Sequence, residues 1–282
     1  MNSRVDLHMH SKASDGSDTI PELLKKIQTL GIHTFAVTDH DKIDGAAEME
    51  QIVPEDIRFI RGVELSCKTG KDKCHILGYN YDLNDKAFLA FVAEAFSVRI
   101  NKTYNRLSYL EEKFGFRFTD EEKEEQLRNP GKPQLKKLLE KKLRELQPDA
   151  GPVDIYETYF KDMPGGRVDA ARAIRAVKAA GGIAVWAHPL GGTGEKRLTK
   201  EQFPVLLKKL CDAGLDGLEC CYSEYTSEES GWLCRAASEH GLLVSGGSDY
   251  HGTGKPHLHP GMLNRDDATV QEKQLTVLRA LN

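Results

Sequence analysis

The chain has 282 residues, 39% of them hydrophobic and 29% charged, with a formal net charge of −4. That length accommodates one large α/β domain or a domain carrying an insertion. The weak negative balance excludes an overall field that would draw the protein to nucleic acid or anionic lipid. No run approaches the roughly 18 apolar residues of a membrane span, and no cationic, then apolar leader precedes Val5. Six cysteines show no CxxC spacing, so reduced thiols and a cytoplasmic location are the expectation.

In chain order, Val5–His10 reads as a strand. Apolar positions at Ile20, Leu23, Leu24, Ile27 and Leu30 form a helical stripe that starts beside Pro21 and stops at Gly31. A strand is predicted at Thr34–Thr38, a short helix at Gly45–Ile52, and further strands at Ile57–Leu65 and His75–Tyr81. Repeated βα units predict a parallel sheet or barrel. From 84 to 168 the strand-like runs vanish. Phe88, Phe91, Val92, Ala95 and Phe96 begin a long amphipathic pattern, and acidic Glu121–Glu125 gives way to basic Lys132–Lys142. Solvated helix faces account for that charge switching; a helical insertion capping an active site is the functional reading. The βα rhythm then resumes. Helices are predicted at Ala170–Ala180, Lys200–Ala213, Thr226–His240 and Val270–Leu281, with strands at Ile183–Ala187, Gly217–Cys220 and Leu242–Ser245. The barrel is accordingly expected to comprise 1–83 and 169–282, interrupted by an insertion over 84–168.

Five short segments place histidines or carboxylates in strands or just past their ends: Asp6-Leu7-His8-Met9-His10, Thr38-Asp39-His40-Asp41, Gly62-Val63-Glu64, Ala187-His188-Pro189 and Gly247-Ser248-Asp249-Tyr250-His251. Barrel enzymes gather their active-site residues at that strand end. Alternate strand residues share a face, so His8 and His10 can ligate one ion while Met9 points away. An isolated HxH is weak, because strand histidines are often plain polar surface. Glu64 sharpens the signal, since a carboxylate in an apolar strand is costly unless something pairs it. His75 begins another apolar strand. Nitrogen and carboxylate donors without thiolate suit two or three divalent ions such as Mn²⁺, Fe²⁺ or Zn²⁺. His33, His240, His257 and His259 are read as packing, helix-end or loop polarity. Asp6, Asp39 and Asp41 are read as acceptors that orient imidazoles. Cys67 and Cys74 bracket a turn near the site and are read as buried filler.

His8-x-His10, Asp15, Thr38-Asp39-His40-Asp41, Gly62-x-Glu64, His75, Ala187-His188-Pro189 and Gly247-Ser248-Asp249-x-His251 together resemble the PHP (polymerase and histidinol phosphatase) phosphoesterases. The resemblance covers nearly the whole chain and implies a distorted (β/α)7 TIM-like barrel with a helical insertion. It implies one metal on His8, His10, Glu64 and Asp249, a second on Glu64, His75 and His188, and a third on Asp15, His40 and His251. Asp15, where several relatives have histidine, and Gly131-Lys132-Pro133-Gln134 resemble the TrpH/YciV-type branch. That branch hydrolyses 3′,5′-bisphosphonucleotides, AMP-like nucleotides and short RNA from the 5′ end. Lys132 and Gln134 replace that branch's arginine and histidine, and lysine lacks the bidentate fork that grips phosphate.

The expected reaction is phosphoester hydrolysis by water activated at the metals, with no side-chain nucleophile. Arg99, Lys102 and Lys132 are the candidates for gripping a second phosphate. The expected partner is a phosphorylated nucleotide or short RNA, with no membrane and no obligate protein partner. Histidinol-phosphatase-like chemistry and a DNA-editing nuclease are the alternatives.

Overall fold

A computed structural model describes residues 3–128, 130–146, 151, 153–193, 196–266 and 268–281. The described residues form two compact units, Met1–Ala95 with Val168–Asn282, and Phe96–Arg167. These divisions fall twelve residues beyond the expected first boundary (95 against 83) and one residue before the second (168 against 169).

The first unit is an α/β barrel. Its strands are β1 (Val5–Asp6), β2 (Thr34–Val37), β3 (Arg58–Thr69), β4 (Asp72–Tyr79), β5 (Val168–Asp169), β6 (Ile183–Trp186), β7 (Gly217–Tyr222) and β8 (Leu243–Gly247). They join in the order β1-β2-β3-β4-β6-β7-β8, with β5 beside β3. The first and last strands meet through an irregular seam with one bridge, Met9 to Tyr250. Asp249 N donates to His8 O at 2.8 Å and His10 N to Tyr250 O at 2.9 Å. Gly247 is required there, because a Cβ would lie 2.3 Å from His8 Cβ and 2.5 Å from His8 N.

The helices that cover this sheet follow from local signals. In α1 (Ile20–Thr29), Thr19 and Glu22 make a reciprocal capping box, and Ile20, Leu23, Leu24 and Ile27 are buried. In α8 (Ser227–Glu239), Thr226 and Glu229 repeat the device. Helices α2 (Asp44–Ile52), α6 (Ala170–Ala179) and α7 (Gln202–Asp212) complete the set. Met9, Phe35 and Val37 pack against Leu23, Ile27 and Met49. Leu7, Ala36, Leu77 and Val185 pack with Leu275, Val277 and Leu278 from the C-terminal segment.

Two expectations are corrected. The sheet is not wholly parallel: β4 runs antiparallel to β3 and to β6, because Thr69 and Asp72 close a tight hairpin around Gly70, whose φ is +61°. The C-terminal segment is not an α-helix; it makes two short 3-10 turns, Glu272–Gln274 and Thr276–Arg279. Its buried residues Val270, Leu275, Val277, Leu278 and Leu281 all join one core cluster, and Arg58 Nη2 binds the carbonyls of Leu278 and Leu281 at 3.1 and 2.8 Å. Packing there overrides helical propensity.

The second unit is helical. The long helix α3 (Lys86–Phe114) enters it, followed by α4 (Asp120–Arg128), α5 (Lys132–Leu146) and a π-helical turn at Tyr156–Phe160. Leu107, Leu110, Phe116, Leu135, Leu138, Leu139 and Phe160 form its own core. Among the described residues no helix is long and apolar enough to cross a membrane.

Candidate metal centre

All nine expected ligands lie in the barrel unit, and they converge. His8 and His10 leave β1 on one face and are fully buried. Glu64, from β3, stands at the middle. Its Oε1 lies 2.9 Å from His75 Nδ1 and 3.0 Å from His188 Nε2. Its Oε2 lies 3.3 Å from His8 Nε2, 3.2 Å from His10 Nε2 and 3.0 Å from His40 Nδ1. Five imidazoles thus address one carboxylate. Asp249 Oδ1 lies 3.6, 3.3 and 3.4 Å from His8, His10 and His251. Asp15 lies 3.2 Å from His251 Nε2 and 3.8 Å from His10 and His40.

The donor set fits divalent cations. His8 Nε2, His10 Nε2 and Glu64 Oε2 are buried atoms that make no hydrogen bond, a costly arrangement unless a ligand joins them. Donor atoms within 4.8 Å of one another form three groups: His8, His10, Glu64 and Asp249; His10, Asp15, His40 and His251; and His40, Glu64 and His75. His188 Nε2 also approaches His75 Nδ1 to 3.2 Å. Compared with the ligand sets the resemblance implied, His10 also stands with Asp15, His40 and His251, and His40 also with Glu64 and His75.

The carboxylates and imidazoles of the cluster shift one another strongly. Burial disfavours an ionised Glu64, yet His40, His75 and His8 hold its carboxyl well below the usual range. Burial likewise opposes ionisation of Asp249, and Lys255, His251 and His8 override it. Burial pulls the His8 imidazole down, but Glu219, Glu64 and Asp249 hold it well above its ordinary value. His251, by contrast, is lowered by burial, Lys255 and His10.

Three residues around the proposed ligands were given no role in the sequence reading, although the segment Glu219–Ser230 was among those that resemble the family branch. Glu219, on β7, accepts from His8 Nδ1 at 2.9 Å and from the His188 amide at 2.7 Å. Tyr222 donates to Asp249 Oδ2 at 2.9 Å, and Lys255 Nζ reaches the same oxygen at 2.5 Å. The available signal was Glu219, a carboxylate within the apolar run Gly217–Tyr222. Asp6 and Asp39 were expected to orient imidazoles, but among the described residues neither bonds to an imidazole directly; Asp39 reaches His10 only through Ser14, whose Oγ lies 3.5 Å from His10 Nδ1. Asp6 accepts from the amides of His8, Ser248 and Gly261, and Asp39 from Ser11 and Ser14. Asp41 accepts from the Ser66 amide. His33 is exposed, His240 contacts Ala236 O at its helix end, His257 pairs with Glu224 and His259 faces Pro260 O. Cys67 and Cys74 are buried opposite one another across β3 and β4.

The three candidate phosphate residues lie in the helical unit. Arg99 is buried and donates through Nε to Pro130 O at 2.6 Å. Lys102 is also buried. Lys132 opens α5 with its ammonium 5.8 and 6.0 Å from the Tyr156 and Phe160 rings.

The sequence model of the PHP domain matches residues 6–163. The chain belongs to the PHP-domain family. Its relatives within that family include a phosphoribosyl 1,2-cyclic phosphate 1,2-diphosphodiesterase of Eggerthella lenta, 30% identical over 256 residues and covering 88% of this chain and 94% of the relative. A 5′-3′ exoribonuclease of Haemophilus influenzae is 29% identical, covering 89% and 91%. A 3′,5′-nucleoside bisphosphate phosphatase of Chromobacterium violaceum is 27% identical, covering 90% and 89%. A crystal structure from Bifidobacterium adolescentis, described as that of a candidate metal-dependent phosphoesterase, superposes with a TM-score of 0.75 at 27% identity, covering 93% of each chain. This PHP-domain protein is therefore a metal-dependent phosphoesterase, and the barrel expected from its motifs is the barrel observed.

Proposed function

We propose that this PHP phosphoesterase hydrolyses phosphate esters of nucleotides carrying a second phosphate, with 3′,5′-bisphosphonucleotides and short 5′-phosphorylated RNA as its substrates. The observation that carries the reading is Glu64, whose two oxygens are shared among five imidazoles. In this proposal His8, His10, Glu64 and Asp249 hold one ion, Glu64, His75 and His188 a second, and Asp15, His40 and His251 a third. Mn²⁺, Fe²⁺ or Zn²⁺ suits the nitrogen and oxygen donors. When bound, such cations neutralise phosphate oxygens and acidify water from a pKa of about 15.7 toward neutrality.

The chain's own residues arrange the rest. Glu219 accepts a hydrogen bond from His8 Nδ1–H, which directs Nε2 toward Glu64 and would keep it available as the ligand atom once an ion is bound. Tyr222 and Lys255 hold Asp249 Oδ2, which turns Oδ1 toward the imidazoles. We assign Arg99, Lys102 and Lys132 to the second phosphate. In support, Arg99, Lys102 and Arg106 are all buried, and burial with Arg99 and Arg167 nearby pushes the Arg106 guanidinium down to about 10. Like charges gathered away from water favour an anionic guest. The bisphosphate phosphatase and exoribonuclease relatives support this substrate class. The Eggerthella relative favours a second reading, a cyclic phosphodiester.

Phosphate release is to be measured on metal-analysed enzyme with 3′,5′-bisphosphoadenosine, a 5′-phosphorylated oligoribonucleotide, phosphoribosyl 1,2-cyclic phosphate and histidinol phosphate. The bisphosphonucleotide or the RNA should lead, and Arg99→Ala should slow their turnover more than that of a monophosphate. Histidinol phosphate in first place refutes the proposal, and the cyclic ester in first place selects the second reading.

A further inference from the structure

Lys255 reaches Asp249, one of the proposed ligands, directly, and its setting is specific. After β8 the chain delivers Asp249 and His251 and then folds into a 3-10 turn at Gly252–Gly254. Gly254 N binds His251 O at 3.3 Å and Lys255 N binds Gly252 O at 3.2 Å, which turns the chain back on itself. Gly252 sits at φ +63°, where a Cβ would lie 1.9 Å from Ser17 Oγ. The turn is therefore pinned against the segment that also carries Asp15. Its effect is to return the Lys255 side chain to Asp249, six residues earlier, at 2.5 Å.

The ammonium has three donors. Among the described residues Asp249 is its only hydrogen-bond partner, so two donors are unspent. The side chain is 17% exposed, so it is enclosed for most of its surface but not sealed from solvent. Asp249 needs no lysine merely to be anchored, because Tyr222 already donates to the same oxygen at 2.9 Å. A half-satisfied ammonium at the rim of a carboxylate and imidazole cluster is suited to an anion with several oxygens.

We propose that Lys255 contacts the phosphoryl group being hydrolysed, binding its oxygens through the donors that Asp249 leaves unused. It is thus a catalytic residue, and Asp249 is the tether that aims it. The inference rests on the phosphoester reading above but not on which ester is the substrate, so inorganic phosphate is the probe.

Lys255→Met and Lys255→Arg are to be compared with wild type in metal content, calorimetric affinity for inorganic phosphate, and kcat and KM on 3′,5′-bisphosphoadenosine. Lys255→Met should keep its metals while phosphate affinity falls about 10- to 100-fold and kcat/KM falls on the order of 100-fold. Lys255→Arg should regain most of the phosphate affinity. Unchanged phosphate affinity in Lys255→Met overturns the proposal. So does a loss that disappears once metal is restored to saturation, since Lys255 would then serve Asp249 alone. Should Lys255→Met not fold, wild-type enzyme decides: phosphate must shield Lys255 from an amine-acetylating reagent, and equal labelling with and without phosphate refutes the contact. If no bisphosphonucleotide is hydrolysed while phosphate binding still depends on Lys255, the substrate proposal fails and this one stands.

Discussion

Replacing Glu219 by glutamine tests how the centre is held without touching a proposed ligand. The carboxylate is fully buried and accepts two hydrogen bonds, from His8 Nδ1 at 2.9 Å and from the His188 amide at 2.7 Å. A glutamine of the same shape cannot satisfy both. With its oxygen toward His8, its NH₂ opposes the His188 N–H, two donors face to face. Reversed, its NH₂ forces His8 to accept on Nδ1, and the ring proton moves to Nε2, the atom that faces Glu64. Either arrangement forfeits a charge-assisted hydrogen bond of about 1.5–3 kcal/mol. At about 1.36 kcal/mol per decade that is roughly 10- to 100-fold in metal affinity, the range known for partners that orient histidine ligands. The assay is titration of chelator-stripped protein with Mn²⁺ or Zn²⁺ against a chromophoric competitor, with circular dichroism confirming the fold. A folded Glu219→Gln protein whose metal affinity stays within about threefold of wild type refutes the reasoning.

Two further outcomes follow from the same geometry. Gly247→Ala drives a methyl group into the backbone of His8; a loss of at least about 1–3 kcal/mol should appear as a lower Tm together with reduced metal content, and a wild-type Tm counts against the seam as described. In metal-free protein, burial pulls His10 down, but the neighbouring carboxylates of Asp249 and Glu64 prevail and push it up to about 9 from an ordinary 6.5. A raised histidine stabilises fully below pH 6.5 and loses that contribution as pH climbs through about 9, on the order of 3 kcal/mol. Melting of chelated protein should therefore fall between pH 6.5 and 9, whereas metal affinity should rise across the same window as protons leave the imidazoles; a flat melting profile contradicts this.

Most of the proposed ligands were legible because they lie in strands or just past them, where side-chain alternation is rigid enough to read from spacing, whereas Asp15 lies in a turn and came only with the family resemblance. His8-x-His10 and Asp249-x-His251 were each weak alone and gained weight from occurring together with Glu64. The long strand β3 was cut short because Ser66 through Thr69 look like polar loop, yet they pair with β4 across a two-residue turn. That pairing reverses β4, which no βα rhythm could announce. Val270–Leu281 has helical-looking periodicity, but its leucines answer to the barrel core and to Arg58. Glu219 and Lys255 were hidden for a related reason: their importance lies in partners 211 and 6 residues away, respectively.

The seam at Met9 and Tyr250 also bears on how the enzyme is born. The segments it joins are far apart in sequence, and His8 and Asp249, 241 positions apart, are both in the stitch. Closing so long a loop is entropically expensive, and an ion held by His8 and Asp249, as proposed, would act as a clasp that keeps it shut. The proposed ion site therefore cannot form until His8 and Asp249 have both left the ribosome, so metal capture there waits on β8.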